Sequence, residues 1–247
     1  MTATASNYPM APPPGCSQPL EILPGRAPHP LRWRQVFRIL RKLRTSDEDQ
    51  VGAGIQLVDA VGGSGGERTF QRFVRQPEGR YLLRTQPDLV SLLADREALA
   101  AMPEGSLGRA YLDFAEENGF AADSLVEQNN AFEREGGNSE PYREWFWNRF
   151  TAAHDLWHVL TGCAPTPEGE MTLLAFSQAQ NPQRGYLFLL ALGSLGTLTQ
   201  GTVHRRRFRA WRAGKRAASL VTARWEQLLA WPLAEVRRSY RVGDLMR

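Results

Sequence analysis

The chain has 247 residues, 42% of them hydrophobic, enough to bury a core without disulfide or metal staples. Its two cysteines, Cys16 and Cys163, lie far apart in very different surroundings, which argues against a disulfide framework and against a cysteine-based zinc site. The formal charge of +4 arises from 30 basic and 26 acidic residues, so the basic excess is local and by itself names no partner.

Residues 1–30 hold eight of the sixteen prolines, including Pro12-Pro13-Pro14, and read as a flexible arm. They contain no apolar run long enough for a signal-peptide core, and with no arginine before Arg26 they do not resemble an organellar transit peptide. A reducing bacterial cytoplasm is the expected compartment. Over residues 31–247, apolar residues recur at three and four positions and strand-like alternation is scarce. The expected fold is all-α, a single multi-helix domain behind a disordered proline-rich arm.

The first predicted helix, 31–44, sets Trp33, Val36, Phe37, Leu40 and Leu43 on one face, with Arg34, Arg38, Arg41, Lys42 and Arg44 over much of the remainder. Thr45 or Ser46 can cap a second helix, whose first turn carries Asp47, Glu48 and Asp49 and which Gly62-Gly63 ends. Residues 67–76 form the third. Gly79, Pro87, Pro103 and Gly105 then cut the chain into short helical pieces, and 111–117 and 124–134 continue the pattern.

Gly136-Gly137-Asn138-Ser139 marks a loop from which Ser139 can cap the next helix, with Pro141 in its first turn. That helix runs through His158 and stops at Gly162 and Pro165, and Pro167–Gly169 start the next one with Glu170 near its beginning. From Pro182 an apolar helix follows. The uncharged stretch 185–203 is shorter and more glycine-broken than the roughly 20 apolar residues of a membrane span, so a buried core helix is expected. Arginine-rich 205–209 and helices over 217–229 and 234–241 complete the chain, which shows no internal repeat.

His154-Asp155-Leu156-Trp157-His158, followed after eleven residues by Glu170, gathers two imidazoles and two carboxylates within seventeen positions. On a helix, His154 and His158 stand one turn apart on one face with Asp155 on the flank of His158. Imidazole with carboxylate suits zinc or another first-row metal such as iron or manganese. A short antiparallel turn would bring a carboxylate of the next helix back to the histidines. Glu168 and Glu170 both qualify on position, and capping or a salt bridge is the plainer role for Asp155 and Glu170.

Several templates are excluded. A thermolysin-like protease needs glutamate where Asp155 stands. His-Asp phosphohydrolases need a further upstream histidine, and none occurs between Leu31 and Ala153. A di-iron carboxylate bundle needs two Glu-x-x-His motifs on separate helices, and the chain has none.

The pattern His154-Asp155-x-x-His158-x11-Glu170 resembles the signature of the family of the fourth coenzyme Q (ubiquinone) biosynthesis protein. The similarity extends to Phe70-x-x-Phe73, to Tyr81 through Pro87, and to Pro103-x-Gly105-Ser106-Leu107-Gly108-Arg109-x-Tyr111, so it covers most of the chain after the arm. The resemblance implies a helical protein with a zinc-type site made by His154, Asp155, His158 and Glu170. It also implies loss of the ring carboxylate at C1 of a polyprenylated hydroxybenzoate, an oxidative decarboxylation in which a hydroxyl takes its place. A cation there orients the substrate and stabilises charge developing on the ring. Other ubiquinone-biosynthesis proteins, a homo-oligomer and a bilayer surface are the implied partners, on the cytoplasmic side of a bacterial inner membrane or the matrix side of the mitochondrial one. The alternative is a scaffold that binds the polyprenyl lipid without catalysis and uses the metal structurally.

A polyprenyl tail needs an apolar groove. Tyr186, Leu189, Leu190 and Gly193 are the candidates to line it, although the same pattern fits ordinary helix packing. Arg34, Arg38, Arg41 and Lys42 can meet an anionic membrane, or form a solvated face. Arg205-Arg206-Arg207, with Arg209 and Trp211, fits a solvated face or lipid contact; without a nucleic-acid-binding fold, no nucleic acid is expected. Cys163 reads as a small buried residue at a helix end.

Overall fold

The computed structural model describes residues 25–27, 30–45, 50–119 and 140–246. Thirteen helices occur among them and no strand. In chain order these are α1 Trp33–Thr45, α2 Gln50–Val61, α3 Gly65–Arg75, α4 Pro77–Thr85, α5 Leu89–Ala94, α6 Arg96–Ala100 and α7 Leu107–Asn118. There follow α8 Pro141–Thr161, α9 Pro167–Gln180, α10 Arg184–Leu195, α11 Gly201–Arg216, α12 Trp225–Leu228 and α13 Leu233–Tyr240. An isolated bridge pairs Ser106 with Pro232.

The long helix α8 organises the rest because both its faces are apolar enough to be covered. One side carries Leu156, Trp157 and Leu160 into the main core with Leu107, Tyr111, Phe176, Trp225 and Val236. Phe146, near its start, joins Phe70, Phe73, Leu82 and Leu83 of α3 and α4 in a second cluster, where its ring lies 4.8 Å from that of Phe73 and 5.4 Å from that of Phe70. Each fully buried side chain of this size contributes about 1.5–3 kcal/mol. A third cluster, Val36, Ile39, Leu57 and Ala60, joins α1 to α2 and draws in Phe188, Leu189 and Leu192 of α10. The clusters belong to one compact domain.

Buried arginines tie α8 to its neighbours. Arg143 makes a two-pronged bond to Glu67, with Nη2 2.7 Å from Oε1 and Nε 3.0 Å from Oε2, and reaches Glu140 at 2.9 Å. Arg149 pairs with Glu226 and donates to the Ala223 carbonyl at 2.9 Å. Such forked pairing suits arginine where lysine would leave donors unmatched.

Several expectations change. The inward face of α1 is Val36 and Ile39, with Leu40 half-buried, whereas Trp33 and Phe37 point outward and stack on each other at 6.1 Å. The start of α8 is capped by Glu140, whose carboxylate accepts from the backbone N–H groups of Tyr142 and Arg143. Ser139, the proposed cap, lies outside the described residues, as do Ser46, Asp47–Asp49, 124–134 and most of the arm. Residues 217–224 are not helical; α11 ends at Arg216 and only Trp225–Leu228 form a short turn of helix. Tertiary partners take the hydrogen bonds that a helix there would need. Ala218 N–H donates to the Tyr240 carbonyl, and Leu220 N–H to the Gln180 side chain.

The apolar helix expected to be buried is not. Within α10 only Gly185 is buried, and Leu187, Leu195 and, just beyond it, Leu198 are exposed by 55%, 64% and 70%. Its inner face meets α2 and α9, but among the described residues nothing covers its outer face.

Candidate metal centre

Two helix ends make the centre. His154 and His158 stand on the last turns of α8, and Glu170 on the first turn of α9. Gly162 ends α8 in the left-handed conformation at φ 67°, which favours glycine. The return is tight: Thr166 caps α9 by accepting from Gly169 N–H, Pro167 occupies the first turn, and a Cβ on Gly169 would lie 1.9 Å from the Ala164 carbonyl oxygen. The carbonyls left open at the end of α8 are satisfied from elsewhere in the chain. Arg237 donates to those of Val159 and Leu160, both at 2.9 Å, and Leu245 N–H to that of Thr161 at 2.8 Å.

Ligand atoms of His154, His158 and Glu170 lie within 4.8 Å of one another. His158 Nε2 is 3.2 Å from Glu170 Oε1, and His154 Nε2 is 3.7 Å from Glu170 Oε2. The two imidazoles meet edge-on, 4.7 Å apart between centroids. His158 is buried, and its Nδ1 lies 2.8 Å from the Cys163 carbonyl. That carbonyl can only accept, so Nδ1 carries a proton and Nε2 is the nitrogen that faces Glu170.

Asp155 does not join the group. It is buried, and its Oδ1 lies 3.6 Å from Nδ1 of His154, the nitrogen away from Glu170. A carboxylate in that place orients the imidazole and raises its basicity as a ligand. Glu168 is also committed elsewhere. Its carboxylate binds the buried Arg207 at 2.8 Å and approaches Arg206 at 3.8 Å, which leaves Glu170 as the carboxylate on the histidines.

Charge and burial oppose each other at these groups. Burial favours neutral His154, but the Asp155 carboxylate and the Glu170 charge outweigh it and hold its pKa above the ordinary histidine value. Burial likewise favours protonated Glu170, yet the bond from His158 and the charges of both histidines hold its pKa below the usual carboxylate value.

The donor set fits a cation. Tetrahedral zinc bound at about 2.0–2.2 Å places its ligand atoms about 3.3 Å apart, close to the spacings from both histidines to Glu170. Two imidazoles and one carboxylate leave a fourth position for water or substrate, the pattern of catalytic zinc, whereas four protein ligands would close the site. His154 is partly exposed, so the centre is reachable from outside.

The other predicted residues lie outside this group. Leu189 joins the α1–α2 cluster, Leu190 the main core, and a Cβ on Gly193 would lie 2.5 Å from Met171 Cε. Tyr186 bonds to Asn181, and burial pushes its phenol up to about 12. Arg34, Arg38 and Arg41 are exposed on α1, and the side chain of Lys42 lies outside the described residues. Cys163 is buried, its thiol pushed up to about 11 by burial. The sequence reading missed Phe114 of α7, which stacks on His158 at 5.6 Å and 19°, and Arg237 behind the helix end. No spacing connects either to the motif. Arg207 was hidden in an arginine run, and the one available signal was the unmatched charge of Glu168.

Known proteins place the chain. Residues 52–245 match the family model described as coenzyme Q (ubiquinone) biosynthesis protein Coq4. The mitochondrial ubiquinone biosynthesis protein COQ4 of Yarrowia lipolytica is 27% identical over 175 residues, 68% of this chain and 63% of that protein. The protein of the same description from Pyricularia oryzae is 28% identical over 180 residues, 70% of this chain and 55% of the relative. The chain thus spans roughly half to two thirds of the length of such relatives. A crystal structure from Nostoc punctiforme PCC 73102, of a protein assigned provisionally to ubiquinone biosynthesis, superposes with a TM-score of 0.62 at 20% identity, covering 85% of this chain and 96% of that one, and so supports the fold. With the family model spanning the helix pair that carries His154, His158 and Glu170, the chain belongs to the Coq4 family of ubiquinone biosynthesis proteins.

Proposed function

We propose that the protein is a metal-dependent enzyme that removes the C1 carboxylate of a polyprenylated hydroxybenzoate as carbon dioxide and puts a hydroxyl in its place, a two-electron oxidation for which dioxygen is the oxidant, with water supplying the hydroxyl oxygen and hydrogen peroxide formed. The observation that carries this reading is the three-donor centre of His154, His158 and Glu170 with Asp155 set behind His154. Zinc, or another divalent first-row metal, would be held by those three residues and would supply a Lewis acid toward the carboxylate and ring oxygens of the substrate. Asp155 keeps His154 oriented, the Cys163 carbonyl keeps the His158 proton on Nδ1, and Phe114 closes one face of the His158 ring against water.

Membership of the family supports this choice of substrate class. A polyprenyl tail is a membrane lipid, so an anionic bilayer surface, with the exposed Arg34 and Arg38 among the cations facing it, belongs to the same reading. No described helix is long and apolar enough to cross a membrane. Peripheral attachment on the cytoplasmic side of a bacterial inner membrane, or on the matrix side where the protein is mitochondrial as its relatives are named, is the corresponding location. Other ubiquinone-biosynthesis proteins and a second copy of the chain are the proposed partners.

A second reading has its own support. The ligands come from two helices, so a metal would also lock α8 to α9, as a lipid-binding scaffold without catalysis requires. Incubating metal-loaded protein with a short-tailed precursor, with and without oxygen, separates the two by mass analysis. The enzyme releases carbon dioxide and yields the hydroxylated ring, whereas the scaffold returns the precursor unchanged.

A further inference from the structure

We propose that the exposed stripe of α10, the turn after it and the cationic side of α11 form a docking surface for an anionic lipid bilayer, with the stripe and the turn entering the interface and α11 meeting the headgroups. The surface differs from the α1 arginines considered above. The proposal rests on the lipid-substrate reading only for the choice of a bilayer as a useful partner.

After Arg184, α10 has no charged residue. Phe188, Leu189 and Leu192 pack inward on the α1–α2 cluster and Leu190 on the main core. Leu187, Ala191 and Leu195, at i, i+4 and i+8, fall on one stripe and are exposed, and Leu198 extends it into the turn. A single exposed leucine is ordinary, but an apolar stripe that continues from Leu187 through Ala191 and Leu195 to Leu198 is not.

The partner helix supplies charge. Between Gly201 and Arg216, α11 carries Arg205, Arg206, Arg207, Arg209, Arg212, Lys215 and Arg216 and no acidic residue. Arg207 is buried on Glu168 and Arg206 leans toward the same carboxylate, but the other five are exposed. Among them stand Phe208 and Trp211, 57% and 38% exposed, stacked at 5.9 Å, with Lys215 over the indole at 5.8 Å. Aromatic rings amid cations match the headgroup region, where an apolar body meets polar surroundings. A second copy of the chain would bring this cationic helix against a like-charged surface. A nucleic acid would satisfy the arginines but leave the leucine stripe in water. An anionic bilayer satisfies both the leucines and the cations.

The test is co-sedimentation of the full chain with vesicles, without substrate or added metal, so its outcome is independent of chemistry at the metal centre. Vesicles of phosphatidylcholine containing phosphatidylglycerol should bind the protein, and pure phosphatidylcholine at least about tenfold less. Replacing three cations (Arg205→Gln, Arg212→Gln, Arg216→Gln) should weaken binding to anionic vesicles by about a hundredfold, at about fivefold per cation. Leu195→Ser with Leu198→Ser should weaken it by about tenfold at unchanged melting temperature. Equal binding by wild type and both variants overturns the proposal. So does loss of binding only when Arg34 and Arg38 of α1 are changed, or a Leu195→Ser, Leu198→Ser protein that passes from dimer to monomer in light scattering while binding vesicles as before.

Discussion

The Nδ1 atom of His158 and the backbone carbonyl of Cys163 are 2.8 Å apart, so the turn that ends α8 also sets the tautomer of its last histidine. The side chain and the carbonyl are five residues apart, and the left-handed Gly162 between them lets the chain fold back to make the contact. The consequence is an Nε2 atom fixed toward Glu170.

Three of the motif residues should bind metal and the fourth should support one of them. In zinc titration calorimetry, His154→Ala and His158→Ala are expected to abolish stoichiometric binding, whereas Asp155→Asn should weaken it by about 10–100-fold. A loss in Asp155→Asn equal to that in His154→Ala would make Asp155 a ligand and close the site.

Zinc affinity should depend on pH in one direction. Because His154 has a pKa raised above its ordinary value of 6.5, it stays protonated to higher pH than a free imidazole, and it must lose that proton to bind. Affinity is therefore expected to rise about tenfold per pH unit until the raised pKa is passed and then level off. In the metal-free protein the sign reverses: the protonated pair with Asp155 and Glu170 stabilises the fold fully below pH 6.5 and loses that contribution as pH rises through the raised value. Melting temperatures across pH 5–9, with and without zinc, check both.

Arg237 should matter for stability although it lies outside the motif. Arg237→Ala leaves the Val159 and Leu160 carbonyls without their donor at a partly buried helix end, at an expected cost of about 1–3 kcal/mol in urea unfolding. Zinc affinity in the same variant should fall more than in a surface control of equal stability, because this helix end carries His158.

The Arg143–Glu67 pair should set part of the acid sensitivity. Burial favours protonated Glu67, but its bonds from Arg143 and Gln71 prevail and hold its pKa below the ordinary 4.5. Its contribution is present above about pH 4.5 and is lost as pH falls through the lowered value. Glu67→Gln is expected to cost about 2 kcal/mol at pH 7, since it breaks a largely buried pair, and less at pH 3. Unfolding at the two pH values measures the difference.

Local chemistry made much of the helical order legible. Gly62-Gly63, Pro141, Gly162 and Pro167 act within their own turns, so the ends of α2, α8 and α9 follow from residue type. Where local and tertiary demands diverge, the reading failed. Residues 217–224 have helical composition, yet their N–H groups are drawn to Tyr240 and Gln180, and Trp33 and Phe37 look like core residues on a helix whose buried face is Val36 and Ile39.

By itself the sequence determined an all-α chain and two histidines one turn apart with Asp155, Glu168 and Glu170 near them, because helix period and turn chemistry depend on neighbours a few positions away; the family pattern alone singled out Glu170. Tertiary structure decided which of them converge. Glu170 rather than Glu168 meets the histidines because Arg207, 39 positions from Glu168, takes the other carboxylate. On α10 an apolar stripe stays in the open because none of the described elements reaches its outer side. Each outcome is set by contacts between residues distant in the chain, which no local pattern encodes.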